Sequence, residues 1–290
     1  MMQVIIEQPD NGVYFFKFKA QKKVGRLLRV LNCSDIHIDS KQCDRELLKK
    51  HLDNCDFVRI YGDLFDLMQG RHDKRRSPTD LKNKYLVSAY IDEVVKDAVE
   101  FFKPYANKLL FVSLGNHETS VIHHVGTNPI SAFCMLMRMH GSMVVEGVYQ
   151  GFIVDKFYYD KIQTKQLKSI IYAYHHGHGG APQKTEGTLE IEGDKAKFPN
   201  ADIVLKGHNH FKWHNPGQAR YWINKLGHIE KRVQHHLRLG TYKHSRMDNG
   251  WEVEKGFKPT SVGSWYIDYH VIIGDDGKCH DIIFEIISAE

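Results

Sequence analysis

Five short apolar runs, each finishing in a polar cluster, limit most tightly what this 290-residue chain folds into. The run 27–32 leads into Cys33-Ser34-Asp35-Ile36-His37, and 57–61 ends in Gly62-Asp63. The run 108–114 ends in Gly115-Asn116-His117-Glu118, 169–174 in His175-His176-Gly177-His178, and 202–206 in Gly207-His208-Asn209-His210. Apolar runs of this length, closed by glycine and polar residues, read as buried strands. Helical segments lie between them. Residues 46–52 and 130–139 fit helices, and the methionines of the second read as core. Ser77 and Pro78 read as the cap and first residue of a helix over 80–102, where Ile91, Val94, Val95, Ala98 and Phe102 recur at helical spacing. Strands separated by helices predict mostly parallel pairing and an α/β class. In open α/β sheets, ligands bind beyond the carboxyl ends of the strands, which is where the polar clusters fall.

The rest of the chain has a different texture. A strand, a turn at Asp10-Asn11-Gly12 and an aromatic strand over 13–18 precede the first cluster. After residue 210, strand-like runs such as 233–242 and 265–273 follow one another with only loops between. This predicts a second, more antiparallel sheet packed on the first. No internal repeat, low-complexity linker or composition break divides the chain, so residues 1–290 read as one domain.

Composition narrows the function classes. Hydrophobic residues make up 42% and charged residues 26%, the balance of a globular protein and not of a disordered or collagen-like one. No apolar run approaches the length of a membrane span, and the first residues lack the basic-then-apolar pattern of an export signal. A cytoplasmic protein without membrane insertion is the expectation. The five cysteines contain no CxxC pair, which argues against a disulfide framework or a thiolate zinc site. The net charge of +5 suits anionic partners without demanding nucleic acid. Nineteen histidines are many for this length, and histidine is the commonest metal ligand.

Taken singly, each cluster is explained as well by a polar loop at a strand end as by a site. Asp35 and His37, or His208 and His210, face one way if the chain is extended, because strand side chains alternate. Together and in this order, the series DIH, GDLFD, GNHE, HHG and GHNH resembles the signature of the calcineurin-like metallophosphoesterases, over about residues 27–242. The resemblance implies a four-layer α/β/β/α sandwich, two packed mixed sheets flanked by helices. It also implies two divalent metal ions. One would be held by Asp35, His37 and His210, the other by Asn116, His176 and His208. Asp63 would bridge them, with a metal-bridging hydroxide as the attacking group. Oxygen and imidazole donors without thiolates suit manganese first, then iron or zinc. Two ligand carboxylates neutralise half the charge of two divalent cations; the remainder lowers the pKa of bound water and attracts phosphate.

By the same resemblance His117 donates a proton to the leaving oxygen, and Asp66, the second carboxylate of GDLFD, orients it. Glu118 reads as structural. The family's ligand directly precedes a glycine after a strand, which selects His176 over His175. His178 either contacts substrate or has no role, and His123 and His124 either line the cleft or lie on an exposed loop. Arg71, Arg75 and Arg76 belong either to a solvated charge run or to a grip on a substrate phosphate. Trp251 and Trp265 either stack on a base or serve the core.

Among family branches, the bridging motif does not continue with Arg-Gly as in serine/threonine protein phosphatases. GDLFD and GHNH look more like phosphodiesterases, including the double-strand-break repair nuclease subunit and pyrophosphohydrolases of nucleotide-linked lipids. The region from 174 to 187 and Gly240-Thr241-Tyr242-Lys243 resemble phage and prophage metallophosphoesterases. The expected substrate is a phosphodiester or phosphomonoester on a nucleotide or nucleic acid. A DNA nuclease and a catalytically dead binding scaffold are the alternatives.

Overall fold

The computed structural model describes residues 2–20, 25–68, 82–159, 165–180, 184–217, 219–244, 256, 261–275 and 278–290. Arg71, Arg75, Arg76, the expected cap at Ser77-Pro78 and Trp251 lie outside the described residues.

The N-terminal strands β1 (Val4–Asp10) and β2 (Val13–Ala20) pair antiparallel around Asn11-Gly12. The first cluster follows β3 (Arg26–Cys33), and after helix α1 (Arg45–Asp53) the second follows β4 (Phe57–Tyr61). Helix α2 (Tyr90–Phe102) and strand β5 (Leu109–Ser113) lead to α3 (Asn116–Val125) and α4 (Pro129–Met139). Then come β6 (Val145–Gly147), β7 (Gln150–Tyr159), β8 (Gln166–His175), α5 (Glu190–Lys197) and β9 (Ile203–Lys206). The chain closes with β10 (Lys212–Asn215), β11 (Ala219–Ile223), β12 (Ile229–Val233), β13 (His235–Leu239), β14 (Ser264–Ile273) and β15 (Cys279–Ala289).

These strands form two mixed sheets and a separate hairpin. One sheet has seven strands in the order β1-β2-β7-β8-β9-β13-β10, and the other has six in the order β15-β14-β3-β4-β5-β6. The five strands that deliver polar clusters divide between them. β3, β4 and β5 are adjacent and parallel in one sheet, and β8 and β9 are adjacent and parallel in the other. Their carboxyl ends therefore open onto one shared edge of the sandwich.

Alternation along the strands explains the packing. Phe16, Phe57, Phe111, Tyr172, Ile203 and Leu237 point into the space between the sheets. The opposite face of the six-stranded sheet, with Val58, Ile60 and Val112, packs against Leu48, Val95, Ala98 and Phe133 of the helices. On the outer face of the seven-stranded sheet, Ala173 and Val204 meet Phe198, while Glu190 and Asp194 of α5 pair with Lys206 at 2.8 and 2.6 Å. The result is a four-layer α/β/β/α order, with a thin helical layer on the second side.

Three expectations need correction. The strands after residue 210 do not make one second sheet: β11 and β12 pair only with each other, and the others divide between the two large sheets. β13 joins β9 in parallel, whereas β14 and β15 extend the sheet that begins with β3. Helix α2 begins at Tyr90, and the described residues 82–89 before it are not part of the α-helix expected over 80–102. Before it, Asn83–Tyr85 form a 3-10 turn, and the Tyr85 hydroxyl donates to the half-buried Asp97 carboxylate. The methionines of α4 are not all core: Met137 is buried, but Met135 and Met139 face out at 55% and 77% exposure.

Candidate metal centre

Cross-stitched loops bring the five clusters together. Asp35 N–H donates to Gly62 O at 3.1 Å, His37 N–H to Asp63 O at 3.1 Å, and Gly207 N–H to His176 O at 2.9 Å. The Asp35 carboxylate accepts from His208 N–H at 2.9 Å. The turns are tight enough to need glycine where loops cross: a Cβ on Gly115 would collide with Asp63 Oδ1, and one on Gly207 with Asp35 Oδ2.

The expected alternation of an extended chain is not how the paired ligands come to face one way. Asp35, His37, Asp63, His208 and His210 all have positive φ, between 48° and 74°. That is the left-handed region, costly for any residue with a side chain, at about 1–3 kcal/mol each. Five such residues at one sheet edge mark a place where backbone strain is held by surrounding bonds for the sake of side-chain direction.

Two groups of donors result. In the first, His37 Nε2 lies 3.2 Å from His210 Nε2, and Asp35 Oδ1 lies 3.5 Å from His210 Nε2 and 4.0 Å from His37 Nε2. In the second, His176 Nε2 lies 3.2 Å from Asp63 Oδ2 and 3.1 Å from Asn116 Oδ1, and His208 Nδ1 lies 2.7 Å from Asn116 Oδ1. Asp35–His37–His210 and Asp63–His176–His208 each converge closely enough to hold one ion. Asp35, His37, Asp63 and His176 are buried.

The proton inventory tests whether cations fit. His176 Nδ1 donates to Tyr61 O at 3.0 Å, which turns the lone pair of Nε2 toward Asp63 and Asn116 oxygens. His208 Nε2 donates to Gly179 O at 2.7 Å, which turns the lone pair of Nδ1 toward Asn116 Oδ1. The neutral side chains thus aim acceptors at acceptors, an arrangement that needs positive charge at its centre. Protons supply that charge when no cation does: against the opposing effect of burial, Asp63 holds His176 up to about 10. Burial works against ionisation of Asp63 too, yet His176 and His117 keep its carboxyl well below the usual range. Burial, with His37 beside it, drives His210 well below its ordinary value. The donor set of carboxylate, amide oxygen and imidazole fits a pair of divalent cations.

The site residues outside these groups divide. His117 Nε2 is 3.7 Å from Asp63 Oδ2, and its Nδ1 bonds the backbone carbonyl of Asp66. Despite burial, the Asp63 and Asp66 carboxylates raise the pKa of His117. The Asp66 carboxylate itself contacts His37 Nδ1 at 3.0 Å and Lys243 Nζ at 3.0 Å, so its direct partners are a ligand-group histidine and a lysine. His175 turns away, accepting from Gly177 N–H at 2.8 Å. His178, His123 and His124 are exposed, and Trp265 of β14 donates its indole N–H to Arg238 O of β13, in the other sheet, at 2.8 Å.

Glu118 has the structural role its sequence suggests, whereas sequence reasoning misses Asp39 and gives Lys243 no role of its own. Glu118 is fully buried and accepts from the N–H groups of Asp63, Phe65 and Gly115 at 3.1, 3.0 and 2.8 Å. Its place three residues after Gly115, reaching back over the start of α3, is the available sequence signal. Burial, then the Asp63 carboxylate, pushes Glu118 up to about 7. Asp39 accepts from Asp66 and Leu67 N–H at 2.6 and 3.1 Å and from Tyr90 O–H at 2.9 Å. The spacing of Asp39 carries no such signal.

The calcineurin-like phosphoesterase family model matches residues 28–227, from within β3 to beyond β11. The chain belongs to this family. No curated protein matches it. Among solved structures, the chain is similar to Yfce, a phosphoesterase from E. coli, at 15% identity and TM-score 0.36, over 88% of this chain and 98% of that one. It is similar to Vps29 complexed with zinc from Entamoeba histolytica at 11% identity and TM-score 0.35, over 91% and 100%. A metallophosphoesterase from Sphaerobacter thermophilus is matched at 13% identity and TM-score 0.32, over 90% and 88%. Membership rests on the family model. Among the described residues, no helix is long and apolar enough to cross a membrane.

Proposed function

We propose that this calcineurin-like phosphoesterase is a dinuclear metal-dependent hydrolase of phosphate esters, acting on a phosphodiester of a nucleotide or nucleic acid in preference to a phosphoprotein. The observation that carries the reading is the convergence of imidazole lone pairs on carboxylate and amide oxygens around Asp63 and Asn116. Asp35, His37 and His210 would hold one cation, Asn116, His176 and His208 the other, with Asp63 shared. Manganese is the first choice, with iron and zinc next. Such cations, when bound, supply Lewis-acid charge for a phosphate and lower the pKa of water.

The chain's own residues do the rest. The Tyr61 and Gly179 carbonyls orient the imidazoles of His176 and His208, and Glu118 locks the loops that carry Asp63 and Asn116. His117 donates Nδ1–H to the Asp66 carbonyl, which leaves Nε2 as the atom that presents a proton to a leaving oxygen. Against burial, the Asp63 and Asp66 carboxylates raise the pKa of His117, which favours the protonated ring. Arg71, Arg75, Arg76 and His178 are the proposed contacts for the remainder of the substrate. The missing Arg-Gly after Asp66 and the net charge of +5 support a diester of nucleotide type. The 290 residues are read as a single cytoplasmic unit.

Hydrolysis of an artificial monoester, an artificial diester, a cyclic nucleotide and single- and double-stranded DNA, side by side with manganese, tests the reading. Diester turnover that is abolished by chelation and restored by metal is expected. His117→Ala should lower turnover about 100-fold or more while metal content is unchanged. No metal-dependent hydrolysis of any ester, or full turnover in His117→Ala, contradicts it.

A further inference from the structure

The Asp66 carboxylate has an ammonium on one side and a ligand-group imidazole on the other. Lys243 Nζ lies 3.0 Å from Asp66 Oδ1, and the same oxygen lies 3.0 Å from His37 Nδ1. The three side chains are progressively more enclosed, 20%, 8% and 2% exposed from Lys243 through Asp66 to His37. The lysine's backbone is tied to the same place. Lys243 N–H donates to Thr241 Oγ1 at 3.0 Å, Thr241 O–H donates to Asp35 O at 2.7 Å, and Tyr242 N–H also donates to Asp35 O at 3.1 Å. Cys43 and Lys243 pair across an isolated antiparallel bridge. The segment bearing Lys243 is therefore fixed to the loop bearing Asp35 and His37, and its side chain reaches a third loop, that of Asp66.

The Asp66 oxygen 3.0 Å from Nδ1 is not in hydrogen-bond geometry, and Nδ1 is buried without a hydrogen-bond partner, so the carboxylate favours a proton on Nδ1 by its charge alone and leaves Nε2 as the ligating atom. His37 Nε2 faces His210 and Asp35. The second donor group is oriented otherwise, by the carbonyls of Tyr61 and Gly179 and not by a carboxylate. We infer that Lys243 is a positioning residue that clamps Asp66 onto His37 and thereby sets the cation affinity of the Asp35–His37–His210 position alone. The inference rests on the dinuclear reading above, and it adds an asymmetry that the reading does not contain: one position depends on an ammonium–carboxylate–imidazole chain, the other on backbone carbonyls.

Two measurements on the full chain decide it. Ring nitrogen shifts of His37 in the metal-free protein report its tautomer. Calorimetric titration with manganese, with elemental analysis, reports the number and affinity of the ions. Lys243→Met is expected to lose the Nδ1–H form of His37 and to weaken one of the two ions about 10- to 100-fold, leaving the other at its wild-type affinity. Asp66→Asn should weaken the same ion. Lys243→Arg, which keeps charge and reach, should stay within a few-fold of wild type and separates loss of charge from loss of folding. An unchanged tautomer in Lys243→Met, unchanged binding of both ions, or equal weakening of both overturns the inference. If the wild-type protein itself takes up fewer than two ions, the dinuclear reading fails, while the His37 shifts still decide whether Lys243 acts on that ring.

Discussion

Glu118 is predicted to be the strut of the site, and its removal can be costed. Its two carboxylate oxygens accept three buried N–H groups, one from the loop after β5 and two from the loop after β4. In Glu118→Ala no water-sized substitute is supplied by the side chain, and each orphaned donor costs about 1–3 kcal/mol. Three donors give about 3–9 kcal/mol. Relief of repulsion from the Asp63 carboxylate, which with burial raises the pKa of Glu118, returns part of this. A net loss of about 4 kcal/mol is expected, a large share of the about 5–15 kcal/mol that holds a domain folded. Glu118→Gln keeps one oxygen but sets an amide donor against N–H donors, so its loss should be intermediate. Denaturant unfolding of the metal-free proteins measures the totals. Amide exchange at Asp63, Phe65 and Gly115 localises them, since those three should exchange much faster in Glu118→Ala. A variant within 1 kcal/mol of wild type, with these amides still protected, would refute the reasoning.

Two further predictions concern the frame. His51 is 1% exposed beside Tyr242, and burial drives its pKa down to about 4 from an ordinary 6.5. The unfolded chain binds this proton first as pH falls, so stability contributed above pH 6.5 is lost between about 6.5 and 4, by about 3 kcal/mol. Unfolding free energies over that window should fall more steeply for wild type than for His51→Phe, and parallel curves would contradict this. Between the sheets, Arg59 of β4 and Asp155 of β7 are both fully buried, joined at 3.0 Å through Nη1, with Arg59 also over the Phe16 ring at 4.4 Å. Arg59→Met strands a carboxylate and should cost about 3–5 kcal/mol by denaturant unfolding, with Arg59→Met/Asp155→Leu recovering most of it. A single variant as stable as the double one would count against the pairing.

Strand ends were legible in the sequence because burial on both faces leaves an uninterrupted apolar run and glycine closes it. β4 lies at residues 57–61 as expected, and β3, β5, β8 and β9 fall within a few residues of their expected bounds. Arg59 shows the limit of such reading: one charged residue inside an apolar run gives no hint that a carboxylate 96 positions away neutralises it. Sheet membership was less legible. Which sheet β13 and β14 join is decided by partners far away in the chain, and each strand's own pattern is compatible with either. At the site, residue types in polar clusters named the side chains that converge, yet the reason they converge is backbone geometry. Positive φ at Asp35 and His37, held by Gly62 and Asp63 carbonyls, replaces the extended alternation that spacing alone suggests. A residue that acts through another, such as Asp39, has no motif of its own, since any chain position that reaches the right atom serves.

Counting the ions tests the central claim most directly. The purified protein, stripped by chelation and reloaded with manganese, should retain two ions per chain by elemental analysis, with Asp63→Asn losing at least one and all ester hydrolysis with it. A wild-type chain that holds one ion or none, or an Asp63→Asn chain that holds two and still turns over, contradicts the account.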